Sequence, residues 1–367
     1  NLSFTDYEPQ VTVMPRIQFS FPISDVANFY AHYDIYAQRP YPSSIGYATA
    51  WDYYKLSAAA PTGVLPNSNL RSTKTFDYEV GFQQKLTKKS ALTLTAFYKE
   101  RKDMVGTVPY VYAFPYQYQT YGNRDFSSTK GTTLFYDMRA TNHLRMSVSY
   151  TLQFAEGTGA SYNSGRGLLN TLINEGIPNL RYVTYLDVDS RHIISANADY
   201  RYYEGEGPTV GGKHILQNAG VNLIMRTRSG EPYTRYTDAM AQTVVGGVNG
   251  ARLPWHFGMD LRVDKDFALK FGRKSKDIAE GQKPRRVQYI KGIVMVNNLL
   301  NTREVLGVHG FTGRTDDNGY ITSSFGQQFI PQQINPRSYT DLYTIYMNNP
   351  GFLNYARTIN LAVEFNF

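Results

Sequence analysis

The chain ends in INLAVEFNF at residues 359–367, where apolar and mostly polar side chains alternate without a fault. The odd positions carry Ile359, Leu361, Val363, Phe365 and Phe367, and the even positions carry Asn, Ala, Glu and Asn. Successive side chains of a β-strand point to opposite faces, so this segment has one apolar face and one largely polar face. A membrane β-barrel needs such a strand, with lipid on one side and water on the other.

The same alternation recurs upstream in several segments of similar length. Between Leu144 and Phe154 every even position is apolar, while the odd positions carry Arg, Ser, Ser, Thr and Gln. Segments 76–83 and 257–264 repeat the pattern with Asp, Glu and Arg on the polar face. An Arg or Asp facing lipid at mid-bilayer would cost about 2–4 kcal/mol. The confinement of these charges to one face therefore predicts a water-filled lumen.

The chain as a whole is predicted to be all-β, a transmembrane antiparallel β-barrel segment. Connections alternate between short and long, as they do between periplasmic turns and extracellular loops. In segment 286–298, Lys291 and Gly292 interrupt the two registers, which predicts a bulge or a tilt. About eleven strands are predicted, at 11–21, 25–37, 73–86, 90–101, 129–140, 144–155, 190–203, 215–228, 256–269, 286–298 and 357–367.

Composition supports a membrane barrel and excludes other classes. The chain has 31 Tyr and 20 Phe, which suits aromatic girdles, and no apolar run near the roughly 20 residues of a membrane helix. It lacks cysteine, so neither disulfides nor thiolate chemistry is expected. The net charge of +8 does not indicate nucleic-acid binding, because many basic residues fall in one turn, 270–286. That turn is predicted to be solvated, with docking of a periplasmic partner as the alternative.

An aromatic stretch lies in the predicted extracellular loop 102–128. Its rings could capture a ligand by stacking, or they could continue the barrel wall above the membrane as ordinary cross-strand pairs. Both interpretations stay open from sequence, and the candidate ligand-capture residues are Tyr110, Tyr112, Phe114, Tyr116, Tyr118 and Tyr121. The chain offers no metal, cofactor or catalytic motif: the six His lack close metal spacing, and no G-x-S-x-G elbow occurs. An enzyme is not expected. Segment 167–176 is predicted to form a short amphipathic helix.

Five segments together resemble the carboxyl-terminal half of a TonB-dependent outer-membrane transporter of the kind abundant in Bacteroidota (SusC-like or related). They occur in the order of that family and run from PNSNL at 66–70, through TFDYEVGF at 75–82, SGEPYT at 229–234 and DLRVDKDF at 260–267, to VNNLLN at 296–301. The terminal Phe367 is similar to the aromatic end that the barrel-assembly machinery reads. The Arg71-Ser72-Thr73 stretch departs from the family, which usually has Pro-Glu there.

The resemblance implies a 22-stranded barrel, of which residues 1–367 would be the carboxyl-terminal half. The chain begins at Asn1 without Met, so a signal peptide is expected upstream of it. The resemblance also implies a plug domain outside these residues, and whether a TonB box accompanies that plug stays open. The implied location is the bacterial outer membrane, among its lipids and lipopolysaccharide. The implied partners are the TonB complex, reached through the plug, and for many members a surface lipoprotein lid.

Two functions remain open from sequence. The first is TonB-dependent active import of a nutrient, which could be a glycan, an oligopeptide or a metal chelate. The alternative is a non-transport barrel that serves as a scaffold or subunit of a larger envelope or secretion complex. The sequence identifies neither the substrate nor the oligomeric state.

Overall fold

The computed structural model describes residues 3–41, 44–59, 64–110, 113, 118–159, 182–240, 243–271 and 286–366. Within these ranges eleven consecutive antiparallel strands form one sheet in chain order. The predicted helix at 167–176 and most of the basic turn 270–286 lie outside the described residues. The strands are β1 (Arg16–Ser24), β2 (Ala27–Gln38), β3 (Thr73–Thr87), β4 (Ser90–Tyr110), β5 (Tyr118–Thr141), β6 (Leu144–Gly157), β7 (His192–Tyr202), β8 (Ala219–Arg228), β9 (His256–Phe271), β10 (Arg286–Asn297) and β11 (Thr358–Asn366).

Every strand pairs with its neighbour in sequence, and β1 and β11 are the two edges of the sheet. This up-and-down order is that of an outer-membrane barrel wall. Each predicted strand overlaps one strand of this path, so the predicted fold class is confirmed. No helix in the described ranges has the length and apolarity needed to cross a bilayer.

The connection 102–128 is predicted to be a loop, but most of it forms paired strands in the structure. The β4–β5 hairpin continues to Tyr110 and Tyr118, with register shifts near Met104. β-Branched and aromatic residues continue through this stretch and favour an extended pairing. The hairpin therefore rises well above the part of the wall that the alternating pattern predicts.

Of the bulge or tilt predicted for 286–298, the bulge is wrong. Strand β10 pairs without a register shift on both sides, and Lys291 faces Asp266 of β9 and Glu364 of β11. Lys291 Nζ lies 3.7 Å from Asp266 Oδ1, so the lysine belongs to the charged face. On that face Ile293 is buried, which explains why neither register looks purely apolar or purely polar.

The apolar face of the sheet is exposed and carboxylates on its polar face are buried, which is the reverse of a soluble protein. On the apolar face Leu361 is 78% exposed, and Phe19 and Leu94 are also exposed. On the polar face Asp77 and Asp264 are only 6% and 3% exposed. An apolar face open to its surroundings and a charged face with buried carboxylates are expected when lipid surrounds the barrel.

The longer connections carry additional structure. Helix α1 (Ala50–Ala59) lies between β2 and β3, and helices α2 (Ser324–Phe329) and α3 (Pro336–Met347) lie between β10 and β11. Against α3, burial and the neighbouring Tyr339 and Tyr343 raise the pKa of Tyr320 to about 12. Short two-residue strands also occur: Val64–Leu65 pairs with β5, Thr184–Tyr185 with β6, Thr209–Val210 with Lys213–His214, Pro232–Tyr233 with Ala251–Arg252, and Arg235–Tyr236 with Val244–Val245.

Candidate functional site

The polar face is lined by ion pairs that join neighbouring strands. Lys99 Nζ of β4 lies 2.9 Å from Asp77 Oδ2 of β3. Arg226 Nη1 of β8 lies 3.0 Å from Asp260 Oδ2 of β9. These pairs place fixed charges of both signs along one surface, which is the predicted lumen side.

One ion pair on this face reaches across an intervening strand. Arg201 of β7 donates from Nη1 and Nη2 to the two carboxylate oxygens of Asp264 in β9, each at 2.9 Å. Gly220 of β8 is in register with both residues. A Cβ atom there would lie 2.4 Å from Arg201 Nη2, so glycine leaves the space that this bidentate pair requires.

A buried carboxylate organises the outer end of the wall. Asp189 is fully buried, and its Oδ1 accepts a hydrogen bond from the Ala155 amide at 2.8 Å. Its Oδ2 pairs with Arg252 Nη2, and Arg252 Nη1 also donates to the Asp189 carbonyl at 2.7 Å. Both Arg191 and Arg252 lie over the Tyr185 ring. This Asp189 hub, as we call these residues, ties the end of β6 to the β8–β9 connection.

The SGEPYT segment supplies a second group at the same level. Glu231 pairs with His256 Nε2 at 2.8 Å and with Arg228 Nη1 at 2.8 Å. The Ser229 hydroxyl accepts from the His192 amide at 3.1 Å. A Cβ atom at Gly230 would lie 1.9 Å from the Leu253 carbonyl oxygen, so only glycine fits this close backbone approach. Through these contacts the SGEPYT segment links β7, β8 and β9.

Arg228 and His256, the two partners of Glu231, border a cleft of about 610 Å³ at the outer end of the polar face. Its wall combines cationic, anionic and amide side chains with one strongly exposed ring, that of Tyr355. Such a mixture can hydrogen-bond a polar ligand while an aromatic face covers it. The cleft is lined by Ile193, Ser195, Arg226, Arg228, His256, Asp260, Asn297, Asn298, Glu304, Asn354, Tyr355 and Thr358, among others.

The VNNLLN segment contributes Asn297 and Asn298 to the lining of the cleft. Asn298 has φ of 53°, and its side chain accepts from the Thr302 amide and donates to the carbonyls of Thr302 and Tyr355. Its own amide donates to Asp260 Oδ1 at 2.9 Å. One asparagine thus joins β9 to both ends of the long β10–β11 connection.

Replacing Asn298 with alanine is expected to lower the free energy of unfolding of this connection by about 2–3 kcal/mol. Alanine loses four side-chain hydrogen bonds, with Thr302 and Tyr355, each worth about 0.5–1.5 kcal/mol, and tolerates the left-handed backbone less well. Hydrogen exchange across residues 299–357 in the purified full-length protein would measure the change. The neighbouring Asn297→Ala should change exchange little, since Asn297 is exposed and makes one hydrogen bond, to Thr358. Equal protection in both variants would contradict this role for Asn298.

The aromatic stretch divides into described and undescribed residues. Tyr110 and Tyr118 are register partners with stacked rings, 5.0 Å between centroids. Tyr118 is buried with Ala48 and Leu65, and Tyr121 continues β5 opposite Thr107. Tyr112, Phe114 and Tyr116 lie outside the described residues. The described tyrosines thus belong to the hairpin wall and its packing.

The PNSNL segment packs beside this hairpin. Asn67 and Leu70 are buried, and Asn67 Nδ2 donates to the Tyr121 carbonyl at 2.9 Å. Just before it, Leu65 pairs in parallel with Thr120. The stretch before PNSNL thus folds back onto β5 of the barrel wall.

The fold and the lumen-side ion pairs define an integral β-barrel of the bacterial outer membrane. Residues 3–273 match the family described as "TonB dependent receptor-like, beta-barrel", and the chain belongs to this family. The family comprises receptors and not enzymes, in agreement with the sequence-based expectation. A search of curated proteins gave no match.

Several solved structures are similar to this chain, each at 15% identity or less. The transporter YddB from Escherichia coli is 11% identical, with a TM-score of 0.49, over 78% of this chain and 37% of its own. The pyoverdine receptor FpvA from Pseudomonas aeruginosa is 12% identical (TM-score 0.48, 82% and 33%), and the ferric yersiniabactin uptake receptor FyuA from Yersinia pestis is 15% identical (0.44, 80% and 33%). The chain spans about a third of the length of these proteins.

Sequence reasoning missed the Asp189 hub and the cleft at the outer end of the polar face, which we call the rim cleft. Asp189 and Arg252 are 63 residues apart and fall in connections without a periodic pattern. The one available signal was the SGEPYT segment, whose Glu231 borders the same level of the wall. Its resemblance to the family pointed to this end of β8 without identifying the partners.

Proposed function

We propose that this chain forms part of the wall of a receptor that imports a nutrient by TonB-dependent active transport. The observation that supports the proposal is the polar face, whose charged and hydroxyl groups extend from the rim cleft to the periplasmic turns. Towards those turns Lys85, Lys89, Asp137 and Arg139 line a further cavity of about 540 Å³. A polar path through an apolar shell suits a hydrophilic cargo such as a glycan, an oligopeptide or a metal chelate.

In this proposal the eleven strands are the carboxyl-terminal half of a 22-stranded barrel, and a plug closes the lumen until TonB pulls on it. A receptor of the Bacteroidota type would also carry a surface lipoprotein lid. The apolar face would contact lipid and lipopolysaccharide, and His192, stacked between Tyr150 and Trp255, suits the outer aromatic girdle.

Energised uptake by the full-length receptor tests the proposal. Cells with and without TonB would be given three labelled compounds that occur in the growth medium of the native host. These are one glycan, one oligopeptide and one ferric chelate. We expect accumulation of one class, only with TonB present. A correctly assembled receptor that accumulates none of the three, or accumulates one equally without TonB, would favour the scaffold function.

We further propose that the tip of the β4–β5 hairpin captures the ligand through its aromatic side chains. Replacing residues 111–117 with a short glycine turn removes Tyr112, Phe114 and Tyr116 and keeps the Tyr110–Tyr118 stack. Ligand binding is expected to weaken by more than about tenfold, because loss of one aromatic anchor at an interface costs about 2 kcal/mol.

Binding of the ligand identified by uptake to purified receptor would measure this effect, with heat-resistant migration as the check on barrel assembly. As a matched control, Asn142 and His143 in the β5–β6 turn at the other end of the barrel would be replaced with glycine, which suits their positive φ of 48° and 73° and should leave binding unchanged. Unchanged binding in the 111–117 variant would leave these rings with a wall role only.

A further inference from the structure

One histidine and two carboxylates meet on the polar face between β2 and β3. His32 and Glu79 are register partners, and Asp77 lies two residues from Glu79 on the same face. His32 Nε2 is 3.2 Å from Glu79 Oε2. One ligand atom from each of the three side chains lies within 4.8 Å of the other two. A single cation placed between them could contact all three.

The buried carboxylate in this group has an unused oxygen. Asp77 is 6% exposed; its Oδ2 pairs with Lys99, while its Oδ1 has no hydrogen-bond partner among the residues that the structure describes. A buried polar atom without a partner is costly, because it gave up water and gained nothing in exchange. A bound cation would satisfy this oxygen.

The group is reachable from the lumen. Asp77 and Glu79 line a cavity of about 840 Å³ together with Thr95, Phe97 and Lys99. On the periplasmic side of the group, the Tyr30 ring lies over Gly81, with its hydroxyl 2.7 Å from Thr95 Oγ1. A cation can therefore reach the two carboxylates from the lumen.

We propose that His32, Asp77 and Glu79 form a binding site for a divalent transition metal such as Zn²⁺. An imidazole nitrogen with two carboxylates is a donor set that Zn²⁺ accepts, and it leaves a coordination position for water or for a passing ligand. Mg²⁺ and Ca²⁺ prefer oxygen donors alone, so the imidazole favours a transition metal. The sequence predicted no metal site, because His32 is 47 residues from Glu79 and no short motif contains both.

The other histidine–carboxylate pairs make useful comparisons. His143 Nδ1 lies 3.2 Å from Glu206, and His256 Nε2 lies 2.8 Å from Glu231. Among the described residues, only the His32 group brings three such ligands together. His143 therefore provides a matched control with the same pairing distance and one carboxylate fewer.

Metal binding to the purified full-length receptor tests the site independently of transport. After treatment with a chelator, the protein would be titrated with Co²⁺, followed by its visible d–d absorption, and with Zn²⁺ by calorimetry. We expect His32→Gln and Glu79→Gln to weaken binding by about 10- to 100-fold or more, the range for disturbing even an outer-shell partner. His143→Gln should bind both ions as the native protein does.

A variant that keeps all three ligands is expected to strengthen metal binding instead of weakening it. Lys99→Met removes the ammonium group that shares Asp77 with the metal, so Co²⁺ should bind at least about fivefold more tightly, a lower bound for removing one like charge in a watery lumen. This variant decides the outcome if His32→Gln does not assemble. Native-like affinity in the His32 and Glu79 variants, absence of binding in the native receptor, or no gain in Lys99→Met would overturn the site.

Discussion

Replacing Asp189 with alanine is expected to destabilise the outer rim by about 3–5 kcal/mol, which is the cost of breaking a buried ion pair from one side. Asp189 is fully buried, and its replacement leaves the Arg252 guanidinium without its carboxylate partner and the Ala155 amide without its acceptor. The two arginines would then lie against Tyr185 with no carboxylate between them. The rim should open although the strands below it remain paired.

Hydrogen exchange of the full-length receptor would locate and measure this opening. Faster exchange is expected in residues 184–191 and 251–256, with the β3–β4 wall unchanged. Asp316→Ala provides the control, because its pair with Arg314 is exposed and joins residues two apart. The Arg314 guanidinium holds the pKa of the Asp316 carboxyl below its usual value, yet this exposed pair should not affect exchange elsewhere. Equal protection of the rim in native and Asp189→Ala receptors would contradict the hub.

The wall could be predicted from sequence because its pattern is local. A strand in a barrel wall meets lipid on one face along its whole length. The alternation within one segment is therefore enough to assign residues such as Leu144 and Phe154 to the lipid face. Lys291 and Ile293 show where this fails, since the charged face also buries an occasional apolar residue. The pairing of Lys291 with Asp266 depends on a neighbouring strand, which a single segment does not reveal.

The candidate site could not be predicted in the same way because its contacts are long-range. Asp189 and Arg252, and likewise His32 and Glu79, meet only after several strands have paired in register. The hairpin above Arg101 was missed because residues 102–110, KDMVGTVPY, do not alternate between apolar and polar side chains. Asn298 and Gly230 were noticed only as parts of family-like segments; their roles depend on backbone geometry that the structure provides.

The second prediction of large effect concerns which face of each strand meets lipid. Arginine at Val148 or Leu361 is expected to destabilise the barrel by about 2–4 kcal/mol if the position lies near the bilayer midplane, because the charge would face hydrocarbon. Arginine at Ser147 or Asn360 would face the lumen, where charges such as Arg145 and Lys291 already occur. The apolar sites are opposed by apolar partners, Tyr136 and Ala196 for Val148 and Val294 for Leu361.

The two pairs of sites are matched, since each compares neighbours on one strand and differs only in face. Urea unfolding of the full-length receptor in lipid vesicles, together with the fraction assembled in the outer membrane, would measure the difference. The Val148→Arg and Leu361→Arg receptors should unfold at lower urea and assemble poorly, while Ser147→Arg and Asn360→Arg should resemble the native protein. A soluble sheet with a wet outer face would accept the charge at all four positions. Equal tolerance would therefore contradict the assignment of the apolar face to lipid, and with it the lumen on which the import proposal depends.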